Sequence, residues 1–343
     1  MTRFLDGGKL SLLEKGVCIM IRIAINGYGN LGRGVEKAIK KNPDMELVAV
    51  FSRRGKPGMM TDTGIPMINL NDVESYKDKI DVMILCGGSA TDLPVQGPAM
   101  AKLFNTVDSF DTHAKIPEYY EVMDQVAKET GHLSLISCGW DPGLFSLARV
   151  LFSSVLPDGV DYTFWGKGVS QGHSDAIRRI EGVVDARQYT VPVQEAVEAA
   201  KSSARPNLTT RQKHTRECYV VVEEGADKAR IEKEIVTMPN YFADYDTTVQ
   251  FISQEELNKN HAGLPHGGFV IRNGETSEGT TQVAQLSLNL DSNPEFTSSV
   301  LVAYARAIYR LAAKGNTGAV TVIDVPFAAL SMKDEATLRK EMI

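Results

Sequence analysis

Cysteine is scarce in this chain of 343 residues: there are four, Cys18, Cys86, Cys138 and Cys218. None stands in a C-x-x-C pair, so neither a zinc site nor a disulfide framework fits them, and a reducing cytoplasm is the expected location. No metal site is expected elsewhere either. An excess of positive charge is also missing. The 37 lysines and arginines against 43 acidic residues leave a net −6, which argues against nucleic acid as a partner. No apolar run reaches the length of a membrane span or a signal-peptide core, so no membrane partner is expected. Internal repeats and low-complexity linkers are lacking as well.

What the chain does have is an ordinary globular composition, 43% hydrophobic and 23% charged, with a length that suggests roughly two domains. Residues 1–19 mix charges with a few leucines directly before Met20. They are expected to lie outside the fold, as an N-terminal extension or as a surface helix docked around residues 10–15.

The organising stretch is Ile21–Asn26, then Gly27-Tyr-Gly-Asn-Leu-Gly32, then an amphipathic run to Lys41. An alternating, β-branched segment meets a glycine-rich turn, and the turn opens a helix carrying Leu31, Val35, Ala38 and Ile39 on one face. In that order G-x-G-x-x-G predicts a dinucleotide site. Gly27 permits the tight turn, Gly29 lets a pyrophosphate approach the backbone, and Gly32 lets the helix pack close to the strand. The positive end of the helix then faces the phosphates. The next strand, Glu46–Phe51, ends in Ser52-Arg53-Arg54, and Arg53 stands 21 residues past Gly32. NAD-binding folds place Asp or Glu there for the ribose 2′-OH. Two guanidinium groups suit a 2′-phosphate instead, so NADP is the expected cofactor. The competing reading of the two arginines is a solvated basic loop.

Further along, Gly55 to Asn71 is a Gly/Pro/Asp-rich loop with short extended pieces. Asp81–Cys86 reads as a buried strand running into Gly87-Gly-Ser-Ala-Thr-Asp92; Thr106–Asp111 is a strand end with Asp108 and Asp111; His132–Ser137 ends in Cys138-Gly-Trp-Asp-Pro-Gly143. A helix over Pro117–Glu129 has its stop signal at Gly131. Strands alternating with helices over residues 20–137 predict a Rossmann-type, doubly wound parallel sheet. Three strands ending in polar, Gly-rich or acidic loops mark its ligand edge. After Pro142 the pattern changes to a helix at 144–156, an aromatic extended piece at 162–166, a polar loop at 168–175 and alternating segments at 183–191, 216–222 and 247–252. The predicted organisation is a nucleotide-binding domain over residues 20–141 and a second α/β domain over 142–292, with a mixed or antiparallel sheet, for substrate and dimerisation. The tail, 293–343, returns to the first sheet as a helix capped at Asn293-Pro294 and a strand at Gly318–Asp324.

Several of these motifs, taken together and in order, resemble meso-diaminopimelate D-dehydrogenase. They are Gly27-Tyr-Gly-Asn-Leu-Gly-Arg33, Phe51-Ser-Arg-Arg54, Gly88-Ser-Ala-Thr-Asp92, Gly139-Trp-Asp-Pro-Gly143, Thr163-Phe-Trp-Gly166, Ser170-Gln-Gly-His-Ser-Asp-Ala176 and Pro265-His-Gly-Gly268. The resemblance runs from Met20 to the C-terminal region. It implies NADP-dependent oxidative deamination of the D-centre of meso-2,6-diaminopimelate, releasing L-2-amino-6-oxopimelate and ammonia, by a homodimer in lysine and cell-wall precursor synthesis. The cofactor contacts expected are Gly27, Tyr28, Gly29, Asn30, Leu31, Gly32, Ser52, Arg53, Arg54, Gly88, Ser89, Ala90, Thr91, Pro142 and Gly143.

By the same resemblance Asp111 and Asp141 lie near the reacting D-centre, as the two candidates for the catalytic base. Trp140 and Trp165 wall the pocket, and Gln171 and Gly172 contact the substrate. Thr190, Arg216, His266 and Asn293 match contacts to the distal L-centre. Some family members have Asp four residues after Asp111, where this chain has Lys115. A lysine there removes any role as base. Plainer readings stand beside these: Asp141 as a helix cap, the tryptophans as core, His266 as a loop histidine, and Arg216 as part of a solvated basic stretch with Arg211, Lys213 and His214. His173 and Asp175 read as a helix entry, and Cys86 and Cys138 as small strand-end hydrophobes. Two other functions share the framework: a broader D-amino-acid dehydrogenase and a non-catalytic NADP sensor.

Overall fold

The computed structural model describes residues 20–343, so the extension or docked helix expected over residues 1–19 lies outside the described residues. The chain divides into two compact units, one of residues up to Pro142 together with Thr297–Ile343, the other of Gly143–Phe296.

The first unit runs β1 (Ile21–Asn26), α1 (Asn30–Ile39), β2 (Met45–Ser52), β3 (Met67–Asn69), β4 (Val82–Leu85), α2 (Leu93–Ala101), β5 (Asn105–Asp108), α3 (Ile116–Thr130) and β6 (Leu133–Leu135). With the late strand Gly318–Val320 these make a seven-stranded sheet, and every pair in it is parallel. A parallel sheet is buried on both faces, which is why Val82–Leu85 is a continuous apolar run with all four residues buried. From β1 the chain steps through β2 to β3 at one edge. It then restarts at β4, on the other side of β1, and steps outward through β5 and β6. The reversal between β1 and β4 is the topological switch point where such sheets bind ligands.

Local sequence accounts for these elements. In α3, Tyr119, Met123 and Ala127 are buried at four-residue spacing, Pro117 stands in the first turn and Gly131 ends the helix at φ 75°. Phe51, Met83, Leu85, Phe104, Phe110 and Met123 belong to the core beneath. The loop after β2 supplies more order than its composition promises, since Met67–Asn69 joins the sheet as its edge strand. The late strand is shorter than expected. Asp324 accepts the Thr321 N–H at 2.8 Å, turning Val322–Asp324 into a 3₁₀ segment.

The second unit holds two sheets rather than one. It runs α4 (Leu144–Val155), β7 (Gly159–Trp165), β8 (Gly168–Val169), α5 (Gln171–Arg178), β9 (Val183–Pro192), α6 (Gln194–Lys201), α7 (Thr210–Lys213), β10 (His214–Val222), α8 (Lys228–Val236), β11 (Asp246–Phe251), α9 (Gln254–Asn260), β12 (His266–Ser277) and β13 (Thr280–Leu290). One sheet is ordered β11-β10-β9-β8, the other β13-β12-β7. The alternating segments are strands, but β11 pairs parallel to β10, not antiparallel. The physical reason is α8, a crossover helix that carries the chain from the end of β10 back to the level where β10 began, so that Asp246 pairs with Thr215. The three-stranded sheet is antiparallel throughout. The helix Asn293–Ala313 has its first turn in this unit and the rest in the first.

Candidate functional site

In the first unit the glycine turn has the geometry that a dinucleotide requires. Gly27 sits at φ 100°, and a Cβ on it would come within 3.2 Å of the Cys86 carbonyl at the end of β4. A Cβ on Gly32 would lie 2.2 Å from the Gly27 oxygen, so only glycine lets α1 approach the turn. A Cβ on Gly29 would meet nothing within 4 Å, so the backbone there is open to an incoming group. Among the described residues no side chain caps the N-terminus of α1, which leaves its dipole facing that opening.

Arg53 and Arg54 are exposed at the end of β2, and the Ser52 hydroxyl accepts the Arg54 N–H at 3.2 Å. Arg53 forms an ion pair with Asp92 at 3.3 Å, and the other Asp92 oxygen takes the Gly88 N–H at 3.1 Å. The Ser89 hydroxyl accepts the Asp111 N–H at 3.1 Å. Gly27–Gly32, Arg53 and the Gly88–Thr91 turn therefore gather at the carboxyl ends of β1, β2 and β4, with Ala90 and Thr91 exposed. These residues fit a phosphorylated dinucleotide: an open turn, an uncapped helix end and exposed guanidinium groups beside it. Pro142 is half-buried, and Gly143, at φ 134°, opens α4.

Of the two candidate bases, Asp111 is exposed and Asp141 half-buried, while Trp140 is buried. What holds their loops is a third carboxylate. Asp108 is fully buried at the end of β5, and one of its oxygens accepts the N–H groups of Phe110 and Ser137, each at 3.0 Å. The other accepts the Tyr119 hydroxyl at 2.8 Å. Burial pushes the Asp108 carboxyl up to about 6, against the pull of these donors. It thus ties the start of the Asp111 loop to the segment that leads to Trp140 and Asp141. Lys115 is exposed where α3 begins.

In the second unit two of the predicted L-centre residues meet across a strand pair. Arg216 on β10 is directly opposite Thr190 on β9 and donates to the Thr190 hydroxyl. Its guanidinium stands 3.8 Å over the Tyr245 ring. The side chain is buried, its Nε has no hydrogen-bond partner, and no carboxylate pairs with it among the described residues. The solvated-face reading of Arg216 is therefore wrong. Arg211 is the exposed member of that stretch, paired with Asp246 at 2.5 Å.

Three histidines feel the charge of Arg216, and all three are held below the ordinary histidine value. Burial first, then Arg216, lowers His214 to about 3 and His173 to about 4. His266 is lowered chiefly by burial, the Arg216 charge adding to it. The buried guanidinium of Arg216 is accordingly surrounded by neutral imidazoles.

Two glycines bring the remaining parts together. A Cβ on Gly166 would lie 2.1 Å from the Thr190 oxygen, and one on Gly168 would lie 2.5 Å from the His266 ring. The chain running from β7 into β8 can therefore pass between β9 and His266 only without side chains at these positions. His214 then accepts the Trp165 N–H at 2.9 Å through Nε2 and stacks on the indole, with ring centroids 5.4 Å apart. Because β7 and β10 belong to different sheets, this contact joins Trp165 to the strand that carries Arg216. Asn293 donates its N–H to the Leu264 oxygen at 3.0 Å, two residues before His266. Gln171 and Gly172 are exposed in the first turn of α5, and the Ser170 hydroxyl that caps this helix bonds the His173 ring at 2.8 Å. His173 is thus part of a helix entry, as its sequence context suggests.

His214 and Tyr245 escaped the sequence reading. The period-2 relation of residues 214 and 216 on one strand face was the available signal for His214. Tyr245 has none, since it reaches Arg216 from the turn before β11.

Two family models match: dihydrodipicolinate reductase, N-terminus, over residues 21–85, and diaminopimelic acid dehydrogenase C-terminal domain over residues 139–292. The chain is 62% identical to meso-diaminopimelate D-dehydrogenase of Ureibacillus thermosphaericus, over 94% of this chain and 99% of the relative. Among solved structures, diaminopimelate dehydrogenase of Corynebacterium glutamicum in complex with diaminopimelate is 46% identical, with a TM-score of 0.88 over 94% of this chain and 99% of that one. An engineered D-amino acid dehydrogenase bound to NADP+ is 44% identical, with a TM-score of 0.83 over the same shares.

Proposed function

The chain belongs to the meso-diaminopimelate D-dehydrogenase family, and we propose that the residues gathered in its two units divide the work of that reaction between cofactor and substrate. It is an NADP-dependent oxidoreductase that deaminates the D-centre of meso-2,6-diaminopimelate to L-2-amino-6-oxopimelate and ammonia. One observation carries the substrate assignment: Arg216 is a buried cation without a carboxylate partner among the described residues. A buried charge left so is costly unless a ligand supplies the counter-ion. A diacid whose reacting centre is far from its second carboxylate supplies it.

Bound NADP supplies the hydride acceptor. Gly27, Tyr28, Gly29, Asn30, Leu31 and Gly32 would hold its pyrophosphate, and Ser52, Arg53 and Arg54 its 2′-phosphate. Gly88, Ser89, Ala90, Thr91, Pro142 and Gly143 complete the proposed cofactor contacts. At the D-centre the ammonium must lose a proton before its carbon gives up hydride. Asp111 and Asp141 are the carboxylates proposed to hold that proton, directly or through water. Water then adds to the iminium carbon and ammonia leaves. Trp140 and Trp165 keep bulk water from that carbon, and Gln171 and Gly172 contact the substrate beside it. Arg216, Thr190, His266 and Asn293 take the L-centre, where the neutral imidazoles serve as hydrogen-bond partners without adding charge. We further propose a homodimer in the cytoplasm.

The test is NADPH formation, followed by absorbance, with meso-diaminopimelate beside the L,L and D,D isomers and simple D-amino acids. Turnover confined to the meso isomer is expected. Turnover spread over simple D-amino acids would keep the reaction and discard the strict diacid pocket. Cofactor binding without turnover would put a sensor in its place.

A further inference from the structure

Glu36 lies in the second turn of α1, just behind the glycine turn, and it is 4% exposed. A buried carboxylate is unusual unless its charge is matched, yet no lysine or arginine forms an ion pair with it among the described residues. Instead three hydroxyls converge on it. Tyr28, inside the glycine turn, donates to one oxygen. Thr61, at 2.6 Å, and Thr63 donate to the other. Arg33 stands 5.5 Å over the Tyr28 ring.

The two threonines belong to a small hairpin after Arg54. Met60 bridges Pro66, Met67 donates to the Met59 oxygen at 2.8 Å, and Thr61 donates to the Ile65 oxygen at 2.8 Å. The Thr61 hydroxyl in turn accepts the N–H groups of Thr63 and Ile65, at 3.3 and 3.2 Å. The base of the segment is closed where Gly55 presses on Ile68, since a Cβ there would lie 2.2 Å from the Ile68 oxygen. Its tip is closed on Glu36. One carboxylate therefore links the turn proposed for the pyrophosphate to the segment that follows the arginines proposed for the 2′-phosphate.

We propose that Glu36 is a positioning residue for cofactor selection: it fixes the spacing between the glycine turn and the Arg53–Arg54 loop, so that both ends of NADP are met at once. An apolar side chain of similar volume would hold α1 in its core at least as well. The carboxylate's distinctive service is to tie together two segments that each need a defined place. Burial raises the Glu36 carboxyl, but the hydroxyls of Thr61, Thr63 and Tyr28 outweigh it and keep it below the ordinary glutamate value, ionised at neutral pH. The proposal rests on the reading that these two segments hold NADP.

The experiment measures Kd for NADP and for NAD by fluorescence titration, with KM and kcat, in the full-length enzyme. The variants are Glu36→Ala and the pair Thr61→Val with Thr63→Val, the second of which keeps the helix residue in place should the first fail to fold. Loss of a hydrogen bond to a charged group predicts a fall on the order of tenfold in the preference for NADP over NAD. The loss should fall on KM for NADP, with kcat at saturating cofactor retained. A lowered melting temperature with an unchanged NADP/NAD ratio in both variants would make Glu36 merely structural and overturn the proposal. Arg53→Asp with Arg54→Ala is the control, expected to move the preference toward NAD. If the control moves the ratio and the Glu36 and threonine variants do not, only the Glu36 proposal fails. If the control leaves the ratio unchanged, the cofactor reading fails and the link has no phosphate loop to position.

Discussion

Replacing Arg216 by methionine should separate binding from folding. Removing a guanidinium ordinarily destabilises through lost pairs, but Arg216 has no carboxylate to lose among the described residues. Its burial as an ion costs several kcal/mol. The Thr190 hydrogen bond returns about 1.5–3 kcal/mol, and the stack on Tyr245 about 2 kcal/mol. These terms nearly cancel, so the variant should melt within a few degrees of the parent, given that ~1 kcal/mol moves a domain of this size by about 2–4 °C. Substrate binding has no such compensation. A distal carboxylate that loses a charge-assisted partner gives up about 3 kcal/mol, or roughly a hundredfold in kcat/KM for meso-diaminopimelate. The affinity for NADP should be unchanged. The histidines provide an independent readout, because part of the depression of His173 and His214 is the charge of Arg216, and their ring resonances should titrate at higher pH in the variant. A fall of many degrees in melting temperature, with NADP affinity lost in parallel, would refute the reasoning and make Arg216 a structural residue.

Two further outcomes follow from buried titratable groups. Asp108 is raised to about 6 in the fold from about 3.8 in the unfolded chain, so its contribution to stability is present below pH ~3.8 and lost as the pH rises through ~6. Asp108→Asn keeps an acceptor for Phe110 and Ser137 and has no such loss. Parent and variant should diverge by about 3 kcal/mol between pH 4 and pH 7 in denaturant titrations, and parallel curves would show that Asp108 does not titrate in that window. His214 has the opposite sign, since its folded value is depressed to about 3 and the stability it allows is lost as the pH falls below ~6.5. His214→Phe should blunt that acid sensitivity while orphaning the Trp165 N–H, at about 1–3 kcal/mol near neutral pH. Tryptophan fluorescence and KM for substrate should both shift, and a variant unchanged in both would mean that His214 does not hold Trp165.

The residue string by itself was enough for everything that depends on near neighbours. Gly27, Gly29 and Gly32 are legible because the turn's sterics operate within six residues. The parallel sheet is legible because its strands are short apolar runs separated by amphipathic helices. Arg216 and Thr190 could be named from the family's ordered motifs, though not placed. Tertiary structure decided the rest, because the deciding contacts join residues that no local period relates. β11 runs parallel because α8 carries the chain from the end of β10 back to the level where β10 began, which alternation alone does not encode. Arg216 is buried rather than solvated because β9, β10 and the turn bearing Tyr245 close over it. Trp165 is joined to the strand of Arg216 by a histidine that the sequence displays only as one member of a basic stretch. Glu36 looks like the solvent-facing charge of an amphipathic helix until the hairpin carrying Thr61 and Thr63 folds down on it. At Glu36 charge and burial oppose each other, and only the folded chain supplies the hydroxyls that settle the balance.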